Sequence, residues 1–193
     1  MANNKIKEMN QQLEQNAVTD MLTGLYNRAG MYREAKKLEL KMKSSRKQTG
    51  IGLMFLDLDN FKPYNDTYGH DIGDIVLQGM AAIFREVAGE KGFVSRYGGD
   101  EFIIIWNTSN HEELENYAKL IYDKIDKADG FRRAIQNRIG RQVEIDPNTY
   151  IGCSIGIATS EFESENSVDA LIKKADDVLY KVKTKSKGTY AFI

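Results

Sequence analysis

Apolar positions along the chain follow two periods. In residues 5–17, Ile6, Met9 and Leu13 stand three or four apart in polar sequence, the spacing of a narrow helical seam. Residues 27–43 predict a full helix, with Met31, Tyr32, Ala35, Leu38 and Met42 on one stripe. Residues 51–58, IGLMFLDL, form a near-continuous apolar run, which predicts a strand buried on both faces. Residues 60–71 read as a loop, and Ile72, Ile75, Val76, Met80, Ile83 and Val87 then recur at helical intervals, with Gly89 as the stop. Two short runs, 93–97 and 102–106, flank Gly98-Gly99-Asp100-Glu101, and the paired glycines predict a hairpin turn with positive φ angles. Residues 109–128 predict a helix on Leu114, Tyr117, Ile121 and Ile125, opened by a capping box of Ser109 and Glu112. Residues 130–148 are polar, partly basic and without a period. A core strand is predicted at 150–158, a helix at 167–182 and a last short strand at 190–193. Helices alternating with strands, plus one hairpin, predict an α/β or α+β sheet covered by helices.

Charge narrows the function classes. The 193 residues carry 27 Lys plus Arg against 28 Asp plus Glu, a formal net charge of −1. A general nucleic-acid binder is usually strongly basic, so the balance argues against that class while leaving room for a local phosphate site. The single cysteine, Cys153, excludes an internal disulfide framework and a cysteine-cluster metal site. No apolar run approaches the roughly 20 residues that span a bilayer, and the polar start is not a signal peptide. The expectation is a cytoplasmic protein, or the cytoplasmic part of a longer membrane-bound one.

The acids carry the chemistry. Asp57 and Asp59 end a predicted buried strand, the edge at which open α/β sheets usually place ligands. Asp100 and Glu101 stand on the hairpin tip, so Asp57 and Glu101 converge if the two strands are neighbours. Hard oxygen donors of this kind suit Mg²⁺, which commonly takes one or two carboxylates together with substrate phosphates. The bland alternative is a polar turn and a capping aspartate. Backbone N–H groups of a loop that leaves a strand before a helix can hold phosphates. Lys62 adds a point charge there. Asn65 with Asp74 suits guanine, whose N1–H and N2–H₂ a carboxylate accepts. Against that, Asn65 and Asp66 are common turn formers, and Asp74 is an ordinary solvated first-turn acid.

Arg96-Tyr97-Gly98-Gly99-Asp100-Glu101-Phe102 resembles the signature of the GGDEF domain, the catalytic domain of diguanylate cyclases. Other segments are similar to that family at its spacing: residues 20–28 (DMLTGLYNR), 56–62 (LDLDNFK), Asn65-Asp66, Gly69-His70, Gly73-Asp74, Ser154-Ile155-Gly156 and 175–183 (ADDVLYKVK). The resemblance covers residues 19–193 and leaves 1–18 as an N-terminal linker helix. It implies a central, mostly antiparallel sheet flanked by helices, related to nucleotidyl cyclases and polymerase palms. It implies condensation of two GTP into cyclic di-GMP with release of two pyrophosphates. In that reading Asp57 and Glu101 hold Mg²⁺, or Mn²⁺ in its place, with the Leu58 carbonyl. Asp100 is a candidate for the second metal or for the 3′-hydroxyl proton. Asn60, Phe61, Lys62, Lys183 and Lys187 face phosphates, and Asn65 and Asp74 read guanine. The implied assembly is a two-fold homodimer brought together by an upstream sensor domain or dimeriser, with no nucleic acid and no membrane segment in this chain. The alternative is a catalytically silent module that binds GTP or a protein.

Three departures from the family pattern matter. Its inhibitory product site, Arg-x-x-Asp, falls here on Gly89 and Gly92, so no such site is expected. Lys185-Ser186-Lys187-Gly188 replaces the commoner Gly-Arg-Asn ending, leaving the phosphate partner open between Lys185 and Lys187. Residues 130–148 are longer than usual and read as a variable insertion ahead of a partner surface.

Overall fold

The computed structural model describes residues 15, 17–44, 50–139, 151–161 and 168–193. The expected helix of residues 5–17 falls almost wholly outside them. Helix α1 is Arg28–Ser44 and strand β1 is Ile51–Asp59, followed by α2 (Phe61–Tyr68) and α3 (His70–Ala88). The hairpin β2 (Gly92–Arg96) and β3 (Glu101–Trp106) comes next, then α4 (His111–Asp126) and α5 (Asp129–Ile139). Strand β4 (Gly152–Ser160), α6 (Val168–Lys185) and β5 (Tyr190–Phe192) complete the chain.

The sheet order is β2-β3-β1-β4-β5, antiparallel except for the β4–β5 pair. Central placement explains why β1 is apolar on both sides. Leu53 and Phe55 pack on one face with Met31 and Ala35 of α1 and Leu171, Ala175 and Leu179 of α6. Met54, Leu56 and Leu58 pack on the other with Val76, Met80 and Phe84 of α3 and Ala118 and Ile121 of α4. Each such buried side chain contributes about 1.5–3 kcal/mol of transfer free energy, so the central strand anchors three layers, helix, sheet and helix. The mostly antiparallel sheet flanked by helices is therefore the observed fold.

Several local expectations are corrected. The loop expected at 60–71 contains α2, with Pro63 in its first turn, where a missing N–H costs nothing. His70 is accordingly the first residue of α3 and not a loop residue. The hairpin turn holds no positive φ at Gly98 or Gly99; the left-handed glycines among the described residues are Gly24, Gly69, Gly89 and Gly188. Glycine at 98 is required by space, because a Cβ there would collide with the Glu101 carboxylate. The cap of α4 is Asn110, whose Oδ1 accepts from Glu113 N at 3.0 Å, one residue beyond the expected Ser109 and Glu112 box. The unassigned 130–148 stretch begins as α5, with Ile135 buried. Gly89 does end its helix, in the left-handed region at φ 56°, its N–H donating to Arg85 O at 3.2 Å.

Candidate active site

The site lies at the edge where β1 ends and β3 and β4 begin. Antiparallel register sets Asp57 opposite Glu101 and Asp59 opposite Gly152. By strand alternation Asp57, Asp59 and Glu101 share the sheet face covered by α6. From that helix Lys183 reaches down, its Nζ 2.5 Å from Asp57 Oδ1. The pair is largely shielded, with 32% and 14% of the side chains exposed, so it is worth more than an ordinary surface ion pair.

Four acids, Asp57, Asp59, Asp100 and Glu101, crowd this edge, with Asp176 near Glu101. Burial pushes the Asp57 carboxyl up; the Lys183 ammonium pulls it back, and Asp100 and Asp59 add repulsion. Glu101 is pushed up by burial and then by the Asp57, Asp100 and Asp176 charges, against a weaker pull from Lys183. Repulsion between adjacent carboxylates is what a divalent cation relieves, so this donor chemistry fits Mg²⁺. Among the described residues no three carboxylate, imidazole or thiol groups stand close enough to hold a metal by themselves. Mg²⁺ usually needs fewer, completing its shell with waters and phosphate oxygens.

The turn that presents Asp100 and Glu101 is braced from behind. Arg96 donates from Nε and Nη2 to Gly99 O at 3.0 and 2.7 Å, and from Nη1 to both Asp20 oxygens at 3.3 Å. Leu58 N donates to Asp100 O at 3.2 Å, tying the turn to β1. Although burial pushes the Asp20 carboxyl up, the Thr23 backbone and hydroxyl and the Arg96 guanidinium hold it below its ordinary value. Arg96 thus braces both the hairpin and a carboxylate.

The residues expected to face phosphates lie just beyond the end of β1. Asn60 adopts the left-handed conformation, φ 61° and ψ 19°, a strain that Asn tolerates better than most residues. Its Oδ1 accepts from Lys187 Nζ at 3.1 Å, so Lys187, and not Lys185, is the lysine brought to Asn60. Phe61 opens α2, and Lys62 is exposed beside it. Asn65 Oδ1 is buried and has no hydrogen-bond partner among the described residues. Its amide lies against Gly73, where a Cβ would collide with it, and Asp74 follows, exposed, on α3. A buried acceptor left without a donor is costly.

Two features escaped the sequence reading. Asp59 is buried, at 3% exposure, and accepts hydrogen bonds from Ser154 and Gly188. Asp176 stands near enough to repel Glu101. The only sequence signal for Asp59 was its two-residue spacing from Asp57. Cys153 is buried and its thiol pushed well up by that burial, so it offers no nucleophile. Among the described residues no helix is long and apolar enough to cross a membrane.

Comparison with known proteins agrees with this geometry. A family model described as "Diguanylate cyclase, GGDEF domain" matches residues 17–189. A "Diguanylate cyclase" of Vibrio cholerae is 30% identical over 183 residues, covering 95% of this chain and 52% of that protein. "Cyclic di-GMP phosphodiesterase PdeR" of Escherichia coli is 32% identical over 174 residues, covering 90% of this chain and 24% of that protein. The chain thus spans about half or less of the curated relatives it matches. The coiled coil and GGDEF domain of DgcB from Caulobacter crescentus, solved in complex with c-di-GMP, superposes with a TM-score of 0.77 at 26% identity. It covers 100% of this chain and 94% of that one. With the facing acids, the braced turn and the matched span together, the chain belongs to the GGDEF diguanylate cyclase family.

Proposed function

We propose that the chain condenses two GTP into cyclic di-GMP, releasing two pyrophosphates, across a homodimer. The observation that carries this reading is the meeting of Asp57, Glu101 and Lys183 at one sheet edge. Asp57 and Glu101 would hold a divalent cation there, which would supply Lewis-acid polarisation of the phosphate and neutralisation of charge on the leaving pyrophosphate. The chain's own residues do the positioning on which phosphoryl transfer mainly depends. Lys183 shares its charge between Asp57 and the triphosphate. The backbone N–H groups of Asn60, just before α2, and of Phe61, its first residue, take the terminal phosphates with Lys62 and Lys187. Asn65 Oδ1 and the Asp74 carboxylate accept from the guanine edge. Asp100 stands beside the acids as the group to receive the 3′-hydroxyl proton. As that O3′ bonds to the α-phosphorus of the GTP on the other chain, the bond to pyrophosphate breaks. One chain holds one GTP, so the rate depends on protein concentration or on an upstream dimeriser.

Incubation with GTP and Mg²⁺ over a range of protein concentrations, with products separated, tests this. Cyclic di-GMP formed at a rate per subunit that rises with concentration is expected. GTP bound without turnover, even in an enforced dimer, makes the chain a silent binding module instead. The observation favouring that second reading is the match to PdeR, a relative named as a phosphodiesterase.

Two further outcomes follow from side chains. Asp74→Asn is expected to lower kcat/KM for GTP about 100-fold, because a site built to hydrogen-bond a substrate rejects a mismatched edge strongly. Equal loss with GTP and with ATP in competition would remove Asp74 from guanine recognition. Cyclic di-GMP added to the assay is expected to leave the initial rate unchanged through the 89–92 turn. Gly89 ends α3 and Gly92 faces Trp106, and neither supplies a guanidinium fork or a carboxylate. Inhibition abolished by changes at Glu90 or Lys91 would contradict this.

A further inference from the structure

Asp59 is a buried carboxylate that the reaction above does not use. It ends β1 with 3% of its surface exposed. Burying a charge is costly unless strong donors compensate it. Two surround this one. Ser154 Oγ donates to the carboxylate, 2.9 Å from each oxygen, and Gly188 N donates to Oδ2 at 2.9 Å. Gly188 N also lies 3.2 Å from Ser154 Oγ, closing a three-membered knot of β1, β4 and the turn after α6. The knot depends on two glycines. Gly152, opposite Asp59 in register, leaves room where a Cβ would stand 3.3 Å from Asp59 Oδ2. Gly188 holds φ at 72°, a conformation other residues rarely adopt.

What the knot fixes is the neighbour of each end. Asn60 follows Asp59 directly, and Lys187 precedes Gly188 directly; their side chains meet at 3.1 Å. We propose that Asp59 is a positioning residue: by clamping the Gly188 amide to the end of β1, with Ser154 as bridge, it sets Lys187 over the Asn60–Phe61 amides and so sharpens recognition of the terminal phosphates. Asp59 touches no substrate in this arrangement and acts only through Lys187. A flexible lysine on an unclamped turn would spend its rotamer entropy on reaching the phosphate; a clamped one is already there.

This inference rests on the reading of the site as a GTP site, and the test separates the two. Binding of GTP and of GMP is measured by calorimetry with Ca²⁺ in place of Mg²⁺, on the unaltered chain, Asp59→Asn, Ser154→Ala, Lys187→Ala and Asp59→Asn/Lys187→Ala. Thermal melting confirms that each is folded. The unaltered chain is expected to prefer GTP over GMP. Asp59→Asn and Lys187→Ala are each expected to cut that preference about tenfold, and Ser154→Ala, which keeps the charge, to cut it less. In the double variant the losses are expected not to add, since both act through one ammonium. Affinity for GMP should hardly move, which a merely structural role of Asp59 would not spare. If the losses add, or if Asp59→Asn keeps the full preference for GTP, the clamp is wrong while the GTP site stands. If the unaltered chain shows no preference for GTP, the functional reading fails and the clamp with it. Should Asp59→Asn not fold, Ser154→Ala and its double with Lys187→Ala carry the same comparison.

Discussion

Glu101→Gln is expected to lower the rate of cyclic di-GMP formation by about a thousandfold or more, at a folding stability equal to or above that of the unaltered chain. The substitution keeps the shape of a side chain fitted against Gly98, where even a Cβ would intrude. It removes one of two charges that face each other across β1 and β3. For catalysis that loss is severe: single groups that stabilise developing charge in a water-poor site are typically worth 10²–10³ in rate, and on the proposed reading one of the cation's two carboxylates is lost as well. For folding the same loss is a relief. Burial and the charges of Asp57 and Asp100 push Glu101 up, so its ionised form is carried at a cost in the folded chain without cation. The two readouts should therefore move in opposite directions, as they do wherever a site is kept strained for function. Product chromatography and thermal melting on one preparation are sufficient. A variant retaining more than about a tenth of the rate would show that Asp57 alone anchors the chemistry.

The opposed acids could be placed from the sequence because each ends an element with a strong signal. Strand β1 is legible since its residues are apolar on both faces, as its central position demands. Helix α3 is legible because Ile72, Val76, Met80, Ile83 and Val87 all turn inward. Helix α2 was not. Its eight residues are too few to display a period, and Pro63, Asn65 and Asp66 read as turn chemistry. The cap of α4 slipped by one residue because Ser109 and Asn110 are both good caps, and only packing decides between them. At the hairpin, the glycines were rightly singled out for the wrong reason: what position 98 needs is room for Glu101 rather than a left-handed backbone. The site divides in the same way. Lys183 and Lys187 came from a family resemblance, and Lys62 and Asn65 from their place in the segment after a buried strand; none came from a period in the chain. The Asp59 knot was illegible because its members lie 34 to 129 residues apart and none of its contacts has a local spacing.

A glycine also underlies the second large effect. Gly156→Ala is expected to destabilise the chain by about 3 kcal/mol or more, lowering the melting temperature by roughly 10 °C for a domain of this size. Glycine in a strand interior ordinarily weakens it, so a buried one in the middle of β4, paired with Phe55 of β1, marks a close backbone approach. What approaches is α6. A Cβ at position 156 would drive into the carbonyl oxygen and carbon of Ala175 and the amide of Leu179. These are backbone atoms inside a helix, which cannot rotate away as a side chain can. The helix must lift, and it carries Ala175 and Leu179 of the core together with Lys183 of the site. Activity should accordingly fall by more than the unfolded fraction accounts for, because any folded molecules hold Lys183 displaced from Asp57. Gly99→Ala is the stability control, since a Cβ there meets no atom within 4 Å and the backbone φ is not left-handed. Equal melting temperatures for the two variants would show that α6 can shift on the sheet at no cost. The close packing of α6 would then not be what sets Lys183 against Asp57.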